Sequence, residues 1–290
     1  MRTRALVTAL VTAALVSGSL GACSAAPDEP KVPSATPVAS SEPRPPAPVN
    51  TGAGLAGSWA LTDLADGGMT GAVTFSDRGY WSADYECGHF GGSFAAAGDV
   101  FYAMWTGGSM GCTDNIDPQP SLAWTTLTMS ITPTENGWAL LDADGATTAT
   151  LSGHSPQETP TPADPRFPLP SYLDPITPLP ATFDVRSMIG LWVPLVPTPG
   201  ESYLNLEETD WTSSDGCNGN GGRWADLGDG YIITTPLGPS HLVGCENVPV
   251  AEWFQFARTA GFDGQQLVLF DAAGDELGRF ARGWRSALTG

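Results

Sequence analysis

The first residues that suggest chemistry are Gly107 to Gly111, which read Gly-Gly-Ser-Met-Gly. This run matches the G-x-S-x-G nucleophile elbow, a sharp turn between a strand and a helix that exposes a catalytic serine. An elbow also requires a helix directly after it, and an acid and a histidine later in the chain. Cys112 and a Pro-containing stretch follow instead, and the nearest later histidine, His154, lies in a Pro-rich segment. We therefore predict a Gly-rich turn here, no catalytic residues and no enzyme.

Cysteine and histidine side chains are the second candidates for chemistry, because together they bind zinc. Cys87 lies near His89 and His241 near Cys245, which leaves each half of the chain short of the four ligands that a structural zinc site uses. Asp215 and its acidic neighbours do not follow the D-x-D-x-D-G spacing of a calcium loop. The sequence predicts no metal and no cofactor, and it assigns these acidic residues to turns.

The N-terminus has the features of an export signal. Arg2 and Arg4 precede an uncharged run, Ala5 to Val16, and small residues follow it up to Cys23. This order is typical of a secretory signal, and the run is shorter than the roughly 20 apolar residues that span a membrane. Residues 1–22 are therefore predicted to be a signal peptide.

The four residues that end at Cys23 read Leu-Gly-Ala-Cys and resemble the lipobox of bacterial lipoproteins. The resemblance implies cleavage before Cys23 and acyl lipid, such as palmitate, on this residue. It also implies that the lipid holds the protein at the extracytoplasmic face of the cell membrane. The alternative is an ordinary signal peptide followed by an incidental cysteine.

Two Pro-rich segments divide the rest of the chain. Residues 24–52 contain eight prolines and residues 154–184 contain nine. Segments with so few apolar side chains do not offset the entropy of ordering the chain. We predict a disordered tether at 23–52, a partly disordered linker at 154–182, and domains at 53–153 and 183–290. Four apolar side chains in the linker are expected to be able to pack on a neighbour: Phe167, Leu169, Tyr172 and Leu173.

The chain is strongly acidic. It has 31 Asp and Glu residues against 12 Lys and Arg residues, which gives a net charge of −19. Nucleic-acid binding depends on the neutralisation of phosphates by Lys and Arg, so the balance argues against a nucleic-acid partner. It also argues against a polybasic attachment to anionic lipid, and it favours solubility.

The two predicted domains resemble each other. Cysteines, tryptophans and a Gly-Gly pair recur in the same order at offsets of 129 to 133 residues, which indicates an internal duplication. The matched residues are Trp59 with Trp192, Trp81 with Trp211, Cys87 with Cys217, Gly91-Gly92 with Gly221-Gly222, Phe94 with Trp224, Cys112 with Cys245 and Trp124 with Trp253.

The duplication also suggests how the cysteines pair. Exported proteins live where disulfides persist, and four cysteines permit three pairings. Because each copy keeps two cysteines, the simplest arrangement is one bridge per copy, Cys87–Cys112 and Cys217–Cys245. Cys23 is then left for the lipid.

The local patterns favour a mainly β fold. Short runs rich in β-branched, Leu or aromatic residues predict strands, and Asp144-Gly145 and Ala273-Gly274 fit tight hairpin turns. Apolar spacing over 250–257 predicts a helix with Asn247 as N-cap and Gly261 as its stop, with a weaker counterpart around 121–129. We therefore expect two tandem, small, antiparallel β-barrel-like domains, each with about one helix and one disulfide. The predicted strands are 71–75, 100–105, 203–206, 230–235 and 266–270.

The second copy, roughly Phe183 to Arg282, resembles the META/HslJ-like domains of bacterial envelope and heat-shock proteins. The first copy departs from this pattern, with Glu86-Cys87-Gly88 in place of Gly-Cys-Asn. The resemblance implies a compact β fold with one helix, an envelope location and no established catalytic residues. The motifs that carry it are Gly190-Leu-Trp192, Ser214-Asp-Gly-Cys-Asn218, Gly221-Gly-Arg-Trp224, Gly244-Cys245 and the closing run Leu267 to Asp271.

Together these features predict a non-catalytic, membrane-anchored envelope lipoprotein that interacts with an envelope protein or supports envelope integrity under stress. One alternative is a ligand-binding module that uses exposed tryptophan. In that case Trp211, Asn218 and Trp224 are the candidate ligand or interaction residues. Another alternative is a secreted protease-inhibitor-like protein that presents the loop between Cys217 and Cys245.

Overall fold

The structure is a computed structural model, and all of its described residues belong to one compact unit within residues 38–290. Cys23, Cys87, Cys112, His241 and Cys245 lie outside the described residues, as does the whole predicted signal peptide. The described ranges are 46–48, 50–65, 69–85, 88–110, 122–159, 161–162, 171, 174–197, 200–235 and 247–283.

The first half of the chain forms a closed barrel of eight antiparallel strands. A short helix, α1 (Thr51–Leu55), precedes the barrel, and α2 (Ala123–Leu127) lies between the fifth and sixth strands. The strands are β1 (Gly57–Asp63), β2 (Met69–Phe75), β3 (Tyr80–Tyr85), β4 (Gly88–Ala97), β5 (Val100–Met110), β6 (Ser130–Thr134), β7 (Gly137–Leu141) and β8 (Thr147–Pro156).

The second half forms another eight-stranded antiparallel sheet, in the order β13-β12-β11-β10-β9-β16-β15-β14. Along the chain, the helix α3 (Val250–Phe256) lies between the fifth and sixth strands of this half. The strands are β9 (Gly190–Pro194), β10 (Ser202–Leu206), β11 (Asp210–Asp215), β12 (Gly219–Asp226), β13 (Ile232–Thr234), β14 (Thr259–Asp263), β15 (Gln266–Phe270) and β16 (Glu276–Arg282).

The two halves share one topology, as the predicted duplication requires. Strands β9 to β16 follow the order of β1 to β8, and α3 takes the place of α2. The first barrel closes where Val100 pairs with Ser130. At the equivalent place in the second sheet, Tyr231 and Thr259 form an isolated bridge. We call these halves the first and second repeats.

The strands form because apolar side chains alternate with polar ones along them. In β1, buried and more exposed residues follow one another with the period of two that a half-buried strand requires. The inward side chains fill each repeat with a core of its own, and aromatic residues are the largest members. They include Phe75, Trp81, Phe94 and Trp124 in the first repeat, and Trp192, Trp211, Trp224 and Phe254 in the second.

The predicted secondary structure agrees with most of these elements. All five predicted strands overlap strands of the structure, and helices occur at both predicted places. The predicted ends of α3 are wrong. Pro249 is its N-cap, without a side-chain hydrogen bond, and the helix ends by Ala257. Gly261 does not stop the helix, because it lies inside β14, paired with Val268.

Parts of the Pro-rich segments are ordered and pack on the repeats, to a greater extent than the sequence predicts. Helix α1 begins inside the stretch predicted as tether, with Asn50 as its N-cap and Thr51 buried. Leu179 in the predicted linker and Phe183 directly after it pack on Val268 and Phe270 of β15. These side chains are apolar enough to bind the sheet although prolines surround them. The linker's Phe167, Leu169, Tyr172 and Leu173 lie outside the described residues.

The two repeats pack against each other through equivalent strands. Ala95 and Tyr102 of β4 and β5 form a buried cluster with Ala225 and Ile233 of β12 and β13. Ala95 corresponds to Ala225 at an offset of 130 residues, and Tyr102 to Ile233 at an offset of 131. The interface therefore has the self-complementary pattern of a two-fold contact, built within one chain.

Candidate functional site

The Gly-Gly-Ser-Met-Gly run is part of a strand, so the prediction of a turn there was wrong. Gly107, Gly108 and Ser109 lie in β5 and pair with Gly91, Phe90 and His89 of β4. The pairing of two long strands extends the hairpin through the glycines. A serine within a continuous ladder has none of the strained exposure of a nucleophile elbow.

The candidate ligand residues of the second repeat belong to the interior. Trp211 and Trp224 are 1% and 2% exposed, and both rings pack edge-on against Phe254 of α3. Asn218 is also buried. No solvent-facing ring is left at these positions for a ligand to stack on, which contradicts a groove of exposed tryptophan here.

Asp215 is the centre of a buried hydrogen-bond cluster at the turn between β11 and β12. Its Oδ1 accepts the backbone N–H groups of Cys217 at 2.8 Å and Asn218 at 2.6 Å. Its Oδ2 accepts the side-chain amides of Asn218 at 3.0 Å and Asn247 at 2.8 Å. Burial alone raises the pKa of Asp215, but these hydrogen bonds outweigh it and hold the pKa below the ordinary value. The Asp215 cluster therefore fixes the turn in place.

Asp77 has the same role between the first repeat and the linker. It is 1% exposed and accepts hydrogen bonds from Gln157 Nε2, the Thr161 backbone N–H and Ser171 Oγ at 3.3, 3.1 and 3.0 Å. Burial alone raises the pKa of Asp77, but the hydrogen bonds from Thr161, Ser171 and Gln157 outweigh this effect and hold the pKa below the ordinary value. Neither aspartate presents a free oxygen pair to a substrate, so both clusters are structural.

The described histidines have partners within the fold. His89 Nδ1 lies 2.7 Å from Asp84 Oδ1 on the exposed side of the β3–β4 pair. His154 stacks on Trp59, and its Nε2 lies 3.1 Å from the carbonyl oxygen of Ala56. Neither arrangement brings a histidine to a nucleophile.

A cavity at the junction of the two repeats and the linker is small. Ala96, Ile176, Tyr231 and Arg258 are among its lining residues. Its free volume is about 40 Å³, which admits a few water molecules at most. We therefore do not assign a ligand to this cavity.

A larger opening is a groove of about 730 Å³ on the second repeat. This volume lies within the range of ligand-binding clefts. The groove is lined by residues of β9 and β10, by the C-terminal end of β16 and by the turn between β10 and β11. Its lining residues are Ile189, Gly190, Leu191, Asn205, Leu206, Glu207, Glu208, Arg282 and Gly283.

The groove has an apolar floor and a charged rim. Arg282 at one end donates through Nη1 to the carbonyl oxygen of Ile189 at 2.9 Å, and its guanidinium lies 4.8 Å from the ring of Trp192. Glu207 and Glu208 are exposed at the other end. The rim therefore presents two carboxylates, while the described contacts of the arginine hold it against the protein.

Four exposed aliphatic residues in β9 and directly beside it form what we call the aliphatic strip. Its members are Ile189, Val193, Leu195 and Val196, which are 38% to 47% exposed. Sequence reasoning missed this strip because Trp192 and Pro194 are buried between its members, so both faces of the strand read as apolar. The signal was present in Ile189 and Val193, which have the opposite parity to the buried Trp192 along the chain.

Two chemical features are missing from the described part of the chain. Within it, no group of three or more His, Cys, Asp or Glu residues is placed to hold a metal ion. Over the same ranges, no helix has the length and apolar character needed to cross a membrane. No family model matches this chain, and neither does any curated protein or solved structure.

Proposed function

We propose that this protein is a non-catalytic envelope lipoprotein, held to the membrane by lipid on Cys23, which presents its two META-like repeats to a partner. The observation that carries the non-catalytic role is the use of the buried acidic groups. The carboxylate oxygens of Asp77 and Asp215 accept hydrogen bonds that hold segments of the chain together. The groove on the second repeat is the surface available for interaction.

The proposed anchor is supported by the sequence around Cys23. The apolar run, the small residues and the cysteine occur in the order of a lipoprotein signal. The cysteine count agrees, because the duplication pairs the other four and leaves one for lipid. The Pro-rich segment that follows gives the repeats reach from the membrane surface, at about 3.1 Å per residue.

The proposed disulfides, Cys87–Cys112 and Cys217–Cys245, are supported by the residues that flank the cysteines. Asn247 Nδ2 and the Val248 N–H donate to Asp215, in the turn that contains Cys217, and Asn247 is two residues after Cys245. In the first repeat Gly88 pairs with Met110, and these residues lie one after Cys87 and two before Cys112. In each predicted pair, residues next to one cysteine are therefore neighbours of residues next to the other.

The anchor is tested by labelling cells with a palmitate analogue and separating membranes from soluble protein. Wild type is expected to carry the label and to sediment with membranes, whereas Cys23→Ala is expected to lose both properties. Cys23→Ala keeps the signal and both repeats, so it separates lipidation from export. Equal membrane retention without label would reject the anchor.

The partner is tested by chemical cross-linking in intact cells, followed by mass spectrometry. Wild type and Cys23→Ala are compared, since an envelope partner should be captured by the anchored protein and lost with the anchor. Hydrolysis of an envelope substrate by the purified protein would contradict the non-catalytic role.

A further inference from the structure

The acidic turn at the rim of the groove has a counterpart in the first repeat, and there the linker binds it. In both repeats a β-strand ends in a buried apolar residue, Phe75 or Leu206, and a short acidic turn follows. Asp77 is the second residue of the turn in the first repeat, as Glu208 is in the second. The backbone N–H of Ser76 donates to Tyr80 O at 2.7 Å, and that of Glu207 donates to Asp210 O at 2.8 Å.

The chain's own linker contacts this acidic turn in the first repeat. The Gln157 N–H donates to Ala56 O at 3.3 Å, and its side chain then reaches Asp77. The Thr161 N–H and the Ser171 hydroxyl donate to the same carboxylate. Arg78 completes the contact by donating to the carbonyl oxygen of Thr161 at 2.7 Å. The acidic turn of the first repeat therefore binds a segment of polypeptide that offers it hydrogen-bond donors.

The strand faces beside the two acidic turns differ in chemistry, so the two turns suit different binding segments. On the outward face of the first strand, Ser58 and Ala60 of the first repeat correspond to Leu191 and Val193 of the second. Ser58 is exposed and shares a 2.9 Å hydrogen bond with Thr74 across β1 and β2. The second repeat replaces this polar wall with aliphatic side chains, so its occupant must supply apolar groups of its own.

The rim of the second groove also differs in charge. Glu207 and Glu208 replace Ser76 and Asp77, which doubles the negative charge at the turn. Cationic side chains on the occupant would complement these carboxylates, and charge complementarity of this kind gives an interface its specificity.

We propose that the groove and aliphatic strip of the second repeat bind an extended segment of a partner protein, with aliphatic side chains along β9 and a Lys or Arg against Glu207 and Glu208. This deepens the interaction role proposed above and rests on it. In the first repeat, the equivalent acidic turn binds a segment of polypeptide through that segment's hydrogen-bond donors. The aliphatic wall and the second carboxylate set the chemistry of the partner.

The test uses the whole mature protein and a labelled nine-residue peptide in which Val and Leu alternate with Ser and Thr, with a Lys near each end. Fluorescence anisotropy measures its binding. A peptide with Glu in place of each Lys is expected to bind about tenfold more weakly or worse. The double variant Glu207→Lys/Glu208→Lys is expected to reverse that preference. The control Glu135→Lys/Asp144→Lys makes the same change of net charge on exposed turns of the first repeat and should bind like wild type.

The aliphatic wall is tested by Val193→Thr, which keeps a β-branched side chain in the strand. It is expected to weaken the Lys peptide about tenfold, whereas Ala60→Thr at the matching position of the first repeat has no effect. Equal binding to wild type and to Glu207→Lys/Glu208→Lys would overturn the proposal, as would equal losses for Val193→Thr and Ala60→Thr.

Two further outcomes would assign the groove to another occupant and reject the proposal. Binding that is seen only when the chain is ended at Gly283 would assign the groove to residues 284–290. Sedimentation with phosphatidylcholine vesicles that depends on Val193, without peptide binding, would assign it to a membrane surface. The palmitate labelling of Cys23 is measured separately, so a failure of peptide binding leaves the anchor and its test intact.

Discussion

His154 stacks on Trp59, with ring centroids 4.1 Å apart and ring planes 14° from parallel. The histidine comes from β8, the last strand of the first repeat, and the tryptophan from β1, the first strand. The second repeat joins its first and last strands in the same way with a different side chain, since Arg282 of β16 lies over Trp192 of β9. In each repeat the stacked side chain also contacts a carbonyl oxygen, of Ala56 or Ile189.

A glycine makes this close approach possible in both repeats. Gly57 and Gly190 have φ values of 132° and 133°, a region that other residues rarely adopt. A Cβ on Gly57 would lie 2.8 Å from His154 Nε2, and a Cβ on Gly190 would meet the Arg282 guanidinium. The glycine therefore admits the side chain that covers the tryptophan, and this arrangement is a shared clasp between the ends of each repeat.

The clasp predicts that His154→Ala lowers the free energy of unfolding by about 1 kcal/mol, because an aromatic stack and one hydrogen bond are lost. His154→Arg is expected to keep most of the stability, since an arginine performs this role in the second repeat and a guanidinium stacks well on indole. Urea unfolding of the purified protein, followed by tryptophan fluorescence, measures both.

His89→Ala is the matched control for the clasp. This histidine also touches a partner, Asp84, but both side chains are largely exposed. Exposed ion pairs contribute little, so the loss should stay below about 0.5 kcal/mol. A His154→Arg protein as unstable as the His154→Ala protein would show that the stacked contact does not stabilise the repeat.

The interface between the repeats depends on Arg223, whose guanidinium lies 4.1 Å from the centre of the Tyr102 ring. Its Nη1 also donates to the carbonyl oxygen of Thr128 at 2.9 Å, so one side chain of the second repeat binds two segments of the first. Burial lowers the pKa of Arg223, which shows that the group is partly desolvated. A cation that faces a ring away from water attracts it more strongly.

We therefore expect Arg223→Ala and Tyr102→Leu to be coupled. In a double-mutant cycle of unfolding free energies, the interaction term should be about 0.5 to 1 kcal/mol. Arg223→Lys should lose most of it, because an ammonium group has no planar face to lie over the ring and no separate nitrogen to donate to Thr128 at the same time. Arg279→Ala, which breaks exposed pairs with Asp263 and Glu276, serves as the control and should show no coupling to Tyr102→Leu. Strict additivity at Arg223 would contradict the interface.

The strands were predictable because their signal is local. Runs such as 266–270 are bounded by turn residues, and the hairpin turn that follows has Gly274 at a φ of 88°. The helix stop was not predictable from the same signals. Gly261 suits a helix end, but the pairing of β14 with β15 recruits it into a strand. Tertiary pairing overrides local preference in such cases.

The groove was less accessible to sequence reasoning than the fold. Trp211 and Trp224 looked like candidates for a ligand surface, yet both side chains belong to the core of the second repeat. Val193 lies in an apolar run that suits a core strand, yet its side chain faces water. Which face of an apolar strand is covered depends on the packing of the whole sheet, and a run with apolar residues on both faces does not reveal it.

The cluster around Asp215 predicts a strong effect of Asp215→Ala. The change leaves the N–H groups of Cys217 and Asn218 and the amides of Asn218 and Asn247 without their acceptor. A buried donor left without an acceptor costs about 1 to 3 kcal/mol. We expect the free energy of unfolding to fall by about 2 to 4 kcal/mol in total. Chemical denaturation under non-reducing conditions measures it.

Asp215→Asn separates shape from charge at the same position. It keeps one acceptor for the two backbone N–H groups but turns an amide donor toward the amides of Asn218 and Asn247. We expect a loss intermediate between wild type and Asp215→Ala. Asp210→Asn, at an exposed position of the same strand, should change stability by less than about 0.5 kcal/mol. Equal effects at 210 and 215 would contradict the structural role of the cluster.

The buried aspartates also predict how stability depends on acid. In the folded protein the pKa of Asp77 and that of Asp215 lie below the ordinary value of 3.8. At neutral pH both carboxylates are ionised in the folded and unfolded states, so their full stabilisation is present. As the pH falls through about 4, the unfolded chain binds protons first, and stability decreases until the pH passes the lowered pKa of the folded state. Unfolding free energies measured from about pH 7 down to pH 2 should therefore fall most steeply below about pH 4.

Asp77→Asn should be less stable than wild type at neutral pH but should show a flatter decline in acid. Ser171→Ala, which removes one donor to Asp77, should lie between them. Ile131→Val, a core change without charge, should lower stability by about 0.5 to 1.5 kcal/mol at every pH. A decline as steep in Asp77→Asn as in wild type would show that this carboxylate does not couple protonation to folding.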